Sequence, residues 1–405
     1  MAQASTPWTW KEDGRTDSMK HSEQRILTTH AGSLPRPSKL AEMFGRLSHH
    51  EPVDNALLER AIEESTRRVV RMQSECGIDV GNNGEQSRES FFTYVQHRMS
   101  GFGGRSERPR IADIWNYPSF LDVALPFRAA IKVDLLHAPK AVGEVRYIDR
   151  RPLEKECDDF LKIVGETKPG FTECFMTSPS PGIIASAMLN EHYPSFEDYV
   201  TAVADAVKVE YEAIASRGMV LQIDAPDLAL EHHTSYAQRP LKDFLGFVDL
   251  IVAAINRALE NVPRDCVRLH VCWGNYEGPH NRDVPLDEIL PILLKARVGA
   301  LLLSMANPRH QHEYRCFERR PLPADLTVIA GVIDTTTNYI EHPEVVADRI
   351  ERLARALGDP HRVMASPDCG FETTTGAHMV AEEIVWEKLC AMRDGAAIAS
   401  RRLFG

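Results

Sequence analysis

The chain has no long apolar run and no excess of positive charge. No stretch of its 405 residues approaches the ~20 continuous apolar residues that a membrane span needs. Its 47 lysines and arginines face 58 aspartates and glutamates, which gives a formal net charge of -11. Nucleic acids and anionic membrane surfaces bind concentrated basic faces, so this balance argues against both as partners. We expect small molecules as the ligands, and the composition leaves a homo-oligomer open.

The sequence also lacks the marks of a secretory signal and of a disulfide framework. Residues 1–25, MAQASTPWTWKEDGRTDSMKHSEQR, are polar and charged without an apolar core segment. They predict a flexible N-terminal lead-in to a cytoplasmic protein. In that reducing compartment the eight cysteines, scattered from Cys76 to Cys390, predict free thiols or metal ligands.

No Gly-x-Gly-x-x-Gly turn follows a predicted strand, which argues against an open dinucleotide-binding sheet. Instead, short apolar runs alternate with longer amphipathic segments. This alternation predicts an α/β fold, a (β/α)8 TIM barrel that forms one catalytic domain over residues 26–405, with residues 101–168 inserted over its mouth. The predicted strands lie in GIDVGNNGE, CFMTSPSPG, GMVLQIDAP, CVRLHVCWGN, GALLLSMANP, LTVIAGVID and RVMASPDCG, and two predicted helices in PSFEDYVTAVADAVKVEYEAIASRG and HPEVVADRIERLARALGD.

Residues with metal-binding chemistry end two of these runs. His270 and Cys272 lie two residues apart in LHVCWGNYEGPH, so on a strand both side chains point to the same face. Cys369 ends another run, in SPDCG. One imidazole and two thiolates form a donor set that suits zinc, and barrel chemistry gathers at such strand ends. The alternative is a buried histidine and free cysteines in the core, and the spacing alone leaves both open.

Four segments then point to a family. ILTTHAGSLPRP, HVCWGN, GVIDTTTNYIEHPEVVADRI and ASPDCGF occur in this order between Ile26 and Phe371. Together they resemble the cobalamin-independent methionine synthase family in its short, single-barrel form. The resemblance implies a barrel whose Zn2+ binds the acceptor thiol as a thiolate for alkyl transfer, with His270, Cys272 and Cys369 as the zinc ligands. A free thiol, with a pKa of ~8.5, is mostly protonated at neutral pH, whereas a zinc-bound thiol is deprotonated.

The resemblance also implies three substrate-binding residues. Ser33, in AGSLPRP, falls where the family contacts the thiol substrate, and Glu85, in GNNGEQSRE, where the family pairs with a substrate ammonium group. Asp224, in LQIDAPDLA, matches an acidic residue of the substrate site. Each has a structural alternative: Ser33 as a turn cap, Glu85 as a solvated loop charge, and Asp224 as a helix cap.

Two positions depart from the family pattern. Met305, in LLLSMANPRHQHE, stands where the family has a further zinc-binding glutamate. The site then keeps three protein ligands, or uses the Met305 thioether as a fourth. Thr336, in GVIDTTTNY, replaces the family's general-acid histidine, so we expect Asp334 to take part of its catalytic role. Because threonine cannot protonate a folate leaving group, the methyl donor stays open between a folate and a simpler compound.

The segment NPRHQHEY, directly after the strand that carries Met305, supplies cationic groups. Arg309, with Asn307 beside it, is predicted to bind a carboxylate or sulfonate of the substrate, because its planar guanidinium suits bidentate pairing. His312 is the predicted alternative proton donor. The structural alternative is that Asn-Pro ends the strand and that the charged residues form a solvated loop.

Three functions remain open on the sequence. The first is a zinc-dependent methyltransferase that acts on homocysteine or a similar thiol, with Glu85 as the ammonium partner. The second resembles the epoxyalkane:coenzyme M transferases, in which a zinc-bound thiolate opens an epoxide, with Arg309 on the sulfonate. The third is a metal-free barrel that binds a small molecule or acts as a lyase.

Overall fold

A computed structural model of the chain describes residues 18–129, 131–133 and 135–405. Eight of the strands in these ranges form one sheet in the order β1-β10-β9-β8-β7-β6-β5-β2, and every neighbouring pair is parallel. The strands are β1 (Leu27–Thr28), β2 (Val80–Gly81), β3 (Phe102–Gly103), β4 (Lys140–Ala141), β5 (Glu173–Pro179), β6 (Val220–Asp224), β7 (Val267–Val271), β8 (Ala300–Leu303), β9 (Thr327–Ile333) and β10 (Val363–Pro367).

The two ends of the sheet meet and close it into a barrel. The backbone amide of Asp79, directly before β2, donates to the carbonyl of Thr28 in β1 at 3.1 Å. Strands run in chain order around the barrel, and helices connect them on the outside, as in a (β/α)8 barrel. The predicted fold class is therefore confirmed, and each of the seven predicted segments carries a strand. The eighth strand, β1, is two residues long and was not predicted.

Thirteen α-helices occur in the described part of the chain. One long predicted helix begins after Ser195, whose side chain accepts from the amide of Asp198 at 3.0 Å, and the other ends at Gly358, in the left-handed region at φ 70°. The helices are α1 (Ser38–Ser48), α2 (Asn55–Glu75), α3 (Ala112–Trp115), α4 (Pro118–Ala129), α5 (Arg151–Glu166), α6 (Pro181–Ala187), α7 (Phe196–Ala215), α8 (Asp227–Leu230), α9 (Leu241–Ala258), α10 (Leu286–Leu293), α11 (Arg315–Arg319), α12 (Pro343–Leu357) and α13 (Glu382–Leu403).

Side chains alternate between two apolar cores, as strand geometry requires. The larger core lies between the strands and the helices. The smaller core fills the lower barrel interior and contains Met19, Leu27, Ala31, Val80, Phe175, Val220, Ala300, Leu302, Ile329 and Met364. On β8, for example, the even-numbered residues belong to the interior and the odd-numbered residues to the helical side. This parity decides which side chains reach the mouth.

Of the predicted lead-in, residues 1–25, the first 17 residues lie outside the described part of the chain. Its described part packs at the base of the barrel and is not loose. Met19 is buried, its amide donates to Asp265 at 2.8 Å, and the hydroxyl of Ser22 donates to the carbonyl of Val363 at 2.6 Å. Residues 18–25 therefore close the bottom of the barrel, and only the residues before them remain a predicted flexible segment.

The segment predicted to cover the mouth, residues 101–168, divides into two parts. Its first part contains the antiparallel pair β3 and β4 with α3 and α4 between them, and we call residues 102–141 the mouth segment. Its second part contains α5, which packs against α2 and α7 in the helical layer. Only the first part therefore behaves as an insertion.

Within the described ranges, no helix is both long enough and apolar enough to span a membrane.

Candidate active site and metal centre

Three predicted metal ligands meet at the mouth of the barrel. His270 lies in β7, Cys272 directly follows that strand, and Cys369 follows β10, which is separated from β7 by two strands of the sheet. One ligand atom from each residue lies within 4.8 Å of the other two, and the sulfur atoms of Cys272 and Cys369 are 3.9 Å apart. All three side chains are buried. The fold therefore brings the predicted ligand set together from positions about a hundred residues apart in the chain.

The donor atoms of this centre fit zinc. Two sulfurs held by one tetrahedral zinc, each at ~2.3 Å, lie ~3.8 Å apart, which matches the 3.9 Å between the cysteine sulfurs. A hydrogen bond from Cys369 holds the pKa of Cys272 well below its ordinary value, and the same interaction raises the pKa of Cys369. One sulfur is thus poised as a thiolate, the form that binds metal. Three protein ligands leave a fourth position for a substrate.

Hydrogen bonds from the barrel interior orient His270. Its Nδ1 lies 2.9 Å from Oδ1 of Asp224, a carboxylate that only accepts, so Nδ1 carries a hydrogen and Nε2 faces the centre. Gln222 donates to the same Asp224 oxygen at 2.7 Å and accepts from Nε of the buried Arg268 at 2.8 Å. Asp224 therefore acts on the centre through His270, which neither the substrate role nor the helix-cap alternative had predicted.

The centre forms part of the wall of a cavity of about 520 Å³. Ser33, Glu85 and Asp224 line the same cavity, so the predicted substrate residues and metal ligands share one space. The mouth segment supplies an apolar part of the wall through Ile111, Ile114, Phe120, Val123 and Leu135. The cavity is therefore polar at the centre and apolar beneath the mouth segment.

Glu85 lines this cavity and has one carboxylate oxygen without a hydrogen-bond partner in the described part of the chain. Its Oε1 accepts from the hydroxyl of Thr177 at 2.9 Å, whereas its buried Oε2 has no hydrogen-bond partner among the described residues. Burial, followed by the negative charge of Asp224, raises the pKa of Glu85 to about 7. The residue is 1% exposed and has a φ of 57°, a region that few residues other than glycine adopt. The alternative of a solvated loop charge is therefore wrong.

Ser33 lies against the loop that carries Cys369. Its carbonyl accepts from the amide of Phe371 at 3.0 Å, and a side chain at Gly370 would place its Cβ 1.9 Å from the Ser33 hydroxyl oxygen. Only glycine at position 370 allows this close approach. Ser33 thus borders both the cavity and the metal centre.

The end of β8 corrects the prediction for Met305. By the alternation of β8, Ser304 faces the barrel interior and Met305 faces the helices. The Ser304 hydroxyl donates to the carbonyl of Asp368 at 3.0 Å, beside Cys369. Met305 instead packs in a small pocket formed with Gln311, Tyr314, Ala330, Gly331, Val332, Arg349, Arg352 and Leu353. Met305 is not a fourth ligand, and Ser304 is the residue that faces inward at this strand end.

The segment after Met305 forms a surface loop and does not enter the cavity. The carboxylate of Asp368 accepts from three successive backbone amides, those of residues 305, 306 and 307. Asn307 accepts from the amides of Arg309 and His310, and exposed Arg309 donates to the carbonyl of His280 at 3.0 Å. His312 is exposed, and none of Asn307, Arg309 and His312 is among the described residues that line the cavity. The structural alternative of a turn and a solvated loop therefore describes this segment.

Asp334, the other predicted catalytic residue, is buried beside the cavity and not in its described wall. Its Oδ1 accepts from the amide and the hydroxyl of Thr336 at 2.7 and 2.8 Å, and its own amide donates to Glu341 at 2.8 Å. These bonds give Asp334 the role of shaping the turn after β9. The structure does not bring it together with the metal centre as an acid.

Several residues of the cavity wall were not predicted from the sequence, among them two that closely follow the His270–Cys272 pair. Asn275 and Tyr276 follow Cys272 in the same loop and both line the cavity. Asn275 donates to the carbonyl of Gly370 at 2.7 Å and accepts from the hydroxyl of Thr335 at 2.9 Å, which links three strand ends. Their signal was position, because residues that closely follow predicted metal ligands at a strand end must pass the same mouth.

The fold and the site together define a class: a parallel (β/α)8 barrel with a histidine and two cysteines converging at its C-terminal mouth. Comparison with known families identifies it further. The family model described as the catalytic domain of cobalamin-independent synthase matches residues 175–397. The chain belongs to the cobalamin-independent methionine synthase family.

Individual relatives cover nearly the whole chain. A methionine synthase of Sulfolobus acidocaldarius is 26% identical over 379 residues, with 93% of each chain covered. A methionine synthase of Saccharolobus solfataricus is 25% identical over 382 residues, covering 93% of this chain and 96% of the relative. Among solved structures, a B12-independent methionine synthase from Shewanella sp. W3-18-1 in complex with selenomethionine superimposes with a TM-score of 0.69 at 21% identity, covering 94% of this chain and 99% of the other. This last likeness supports the fold.

Proposed function

We propose that the protein transfers a methyl group to the sulfur of a thiol of the homocysteine type, with zinc held by His270, Cys272 and Cys369. One observation carries the proposal: the three ligands border a cavity that is also lined by Glu85, whose carboxylate has one oxygen without a partner among the described residues. Family membership and relatives named methionine synthase support the same reaction.

Each group has a distinct task in this proposal. Zinc at the centre supplies the positive charge that keeps an acceptor thiol deprotonated at neutral pH. Glu85 accepts from the substrate ammonium group, and Ser33 borders the other side of the substrate. The sulfur forms a bond to the methyl carbon while the bond from that carbon to the donor breaks, and the electron pair of the broken bond leaves with the donor. Asp224 keeps His270 in the orientation that the centre requires.

The methyl donor stays open between a folate and a simpler compound such as a sulfonium. A folate nitrogen must gain a proton as it leaves, whereas a sulfonium departs as a neutral leaving group without one. The predicted acids, Asp334 and His312, do not line the cavity in the described part of the chain, but His378 and Glu277 do. Parallel assays with a methylfolate and a methylsulfonium donor decide between the two.

The epoxide-opening alternative loses its main support. It required a cation in the cavity for a sulfonate, yet Arg309 lies on the surface loop. Arg108, which does line the cavity, pairs with Glu231 at 2.5 Å. The free oxygen of Glu85 would also repel a sulfonate.

The deciding experiment is X-ray absorption at the zinc edge of the purified protein, before and after addition of homocysteine or coenzyme M to parallel samples. We expect homocysteine to add a sulfur to the zinc coordination shell and coenzyme M to add less or none. A zinc centre indifferent to both thiols, or one that takes only coenzyme M, would overturn the proposal.

We also propose the cytoplasm as the site of action. The two ligand sulfurs lie 3.9 Å apart, and an oxidising compartment would convert such a pair into a disulfide and remove the ligands. Recovery of both thiols in reduced form from cells, measured by alkylation, tests this expectation.

A further inference from the structure

A second cluster of metal-binding side chains lies outside the cavity wall. It consists of Asp113, His233 and Asp283, and we call it the rear cluster. One potential ligand atom from each residue lies within 4.8 Å of the other two. Asp113 belongs to α3 of the mouth segment, His233 follows α8 on the loop after β6, and Asp283 lies on the loop after β7. Three separate loops therefore converge on one point.

Each residue of the rear cluster points one buried, unpartnered atom into it. Oδ1 of Asp113, Nδ1 of His233 and Oδ1 of Asp283 are buried, and none has a hydrogen-bond partner among the described residues, although the last two atoms lie 3.3 Å apart. Asp113 and His233 are 0% and 1% exposed, and the side chain of Asp283 is 2% exposed. Nδ1 of His233 pairs with Asp283 only if it carries a hydrogen. With a lone pair there, all three atoms lack a partner among the described residues, and because buried polar atoms are almost always paired, this indicates a missing occupant.

The remaining polar atoms of Asp113 and His233 contact the hydroxyl of Tyr276, and the amide of His280 also donates to Oδ2 of Asp113 at 2.9 Å. Tyr276 donates to Oδ2 of Asp113 at 2.8 Å, and its oxygen lies 3.2 Å from Nε2 of His233. Since the Tyr276 hydrogen goes to the carboxylate, Nε2 of His233 is the donor in the second contact. Its Nδ1 then carries the lone pair, which is the form that binds a metal.

Oδ2 of Asp283 is held in a similar way. It lies 2.9 Å from Nδ1 of His280 and 2.7 Å from Nε2 of His310, and both nitrogens donate to it. Supporting contacts of this kind orient the ligands of metal sites. The pattern is the same for all three residues of the rear cluster: one atom is anchored and the other faces a common point.

We propose that Asp113, His233 and Asp283 form a second metal site that binds a divalent transition-metal ion such as Zn2+. One imidazole nitrogen and two carboxylate oxygens suit ions of the zinc and manganese class, whereas magnesium and calcium prefer oxygen ligands alone. This site contains no thiol and is separate from the His270 centre, so it does not depend on the proposed reaction.

An ion at the rear cluster would fasten the mouth segment to the barrel. Asp113 lies between Ile111 and Ile114, which both line the cavity. Tyr276 lines the cavity with its ring while its hydroxyl contacts the cluster. The ion would therefore fix two parts of the cavity wall without touching the substrate.

The first test counts zinc. The full chain is stripped with a chelator, loaded with Zn2+, dialysed and measured by mass spectrometry as zinc per chain. We expect two zinc ions in the unaltered protein and one in His233→Gln. His232→Gln is the matched control, because its Nδ1 contacts the carbonyl of Arg282 and not the cluster, and it should keep two. Equal zinc in the unaltered protein and His233→Gln would overturn the proposal and leave water as the occupant.

A second variant guards against misfolding of the first. Cys272→Ser combined with Cys369→Ser removes both sulfur ligands of the other centre. We expect this protein to keep one zinc, and its X-ray absorption edge to show nitrogen and oxygen neighbours without sulfur. Absence of zinc from this variant, with a circular dichroism spectrum like that of the unaltered protein, would contradict the second site.

Limited digestion with trypsin tests the fastening role. Arg110 is exposed one residue before the Ile111 that lines the cavity, so cleavage after it reports loosening of the mouth segment. Zinc should slow this cleavage in the unaltered protein and in the double cysteine variant, and should have no effect in His233→Gln. Equal protection of His233→Gln would overturn this role.

Discussion

The adjacent strands β7 and β8 have the same geometry, but the side chains at their ends have different roles. The strands pair in parallel with His270 opposite Leu302, so Cys272 and Ser304 stand at the same level one step further on. On β7 the inward positions carry an imidazole and a thiol that face the cavity. On β8 the inward position carries a hydroxyl bonded to the carbonyl of Asp368.

The comparison shows that the alternation of residues along a strand decides which side chains reach the mouth of the barrel. The chemistry of each of those side chains then decides its role there. The β8 end supports the centre through Asp368, the residue before Cys369. The carboxylate of Asp368 accepts from the backbone amides of residues 305–307, which follow β8. The β7 end supplies the centre itself. Variants at the two ends should therefore differ in kind and in size.

The largest effect is expected at the β7 end. Cys272→Ser should reduce zinc affinity and methyl transfer together by more than about 100-fold, because even residues that only orient a metal ligand contribute 10- to 100-fold. Zinc content and turnover are measured on the same preparation. Cys174→Ser is the control, since Cys174 lies on β5 with its side chain towards the helical core, and it should leave both quantities unchanged. A zinc content in Cys272→Ser equal to that of the unaltered protein would contradict the role given to the end of β7.

A substitution at Glu85 tests whether the cavity selects its substrate independently of the metal. Glu85→Gln should lower kcat/KM for homocysteine about 10- to 100-fold through loss of a charged hydrogen bond, and leave zinc content intact. A thiol without an amine is the control substrate and should react equally with both proteins. An equal loss with both thiols would remove Glu85 from ammonium recognition.

The pH dependence of this effect has a definite sign. Burial and the charge of Asp224 raise the pKa of Glu85 to about 7, so the carboxyl is mostly neutral at pH 6 and ionised at pH 8. The positive charges of Arg88 and Arg36 oppose the rise. Only the ionised form pairs with an ammonium group, so the KM for homocysteine should fall as pH rises through 7. The ratio of KM values between Glu85→Gln and the unaltered protein should grow over the same range, because ionisation of the thiol is common to both proteins.

Strand-level features were predictable from the sequence where the apolar run was long enough. β5 to β10 each have four to seven residues and lie in mostly apolar segments, and His270 and Cys272 could be placed on one face by counting along β7. β1 has only two residues and was not predicted, whereas the equally short β2 lies within the predicted segment GIDVGNNGE. Met305 was assigned without regard to the parity of β8, and counting inward positions from Leu302 would have selected Ser304.

Contacts between distant loops were not predictable. Asp113, His233 and Asp283 come from three loops with no characteristic spacing, so only the closed barrel brings them together. The NPRHQHEY loop failed as a prediction for a related reason. Its charged residues directly follow a strand end. The backbone amides of residues 305–307 donate to the carboxylate of Asp368, however, and these hydrogen bonds turn the chain away from the cavity.

A moderate effect is expected at the inward position of β8. Ser304→Ala removes one hydrogen bond to the Asp368 carbonyl, a loss of about 1 kcal/mol, which corresponds to roughly 5-fold. We expect zinc affinity to fall by up to that factor, because the loop carrying Cys369 loses one of its restraints. Competition with a coloured zinc chelator measures the change. A loss as large as that of Cys272→Ser would mean that Ser304 is itself a ligand.

The smallest effect is expected at the outward position of the same strand end. Met305→Leu conserves volume and apolar character in the pocket beside α12, so the free energy of unfolding should fall by less than about 1.5 kcal/mol. Zinc affinity should equal that of the unaltered protein, because the side chain points away from the interior. Thermal unfolding and the same chelator competition measure the two quantities. Ser304 and Met305 are adjacent in sequence, so only one of them faces the barrel interior. A loss of zinc affinity in Met305→Leu without one in Ser304→Ala would mean that Met305 faces inward, and it would contradict the contrast drawn between β7 and β8.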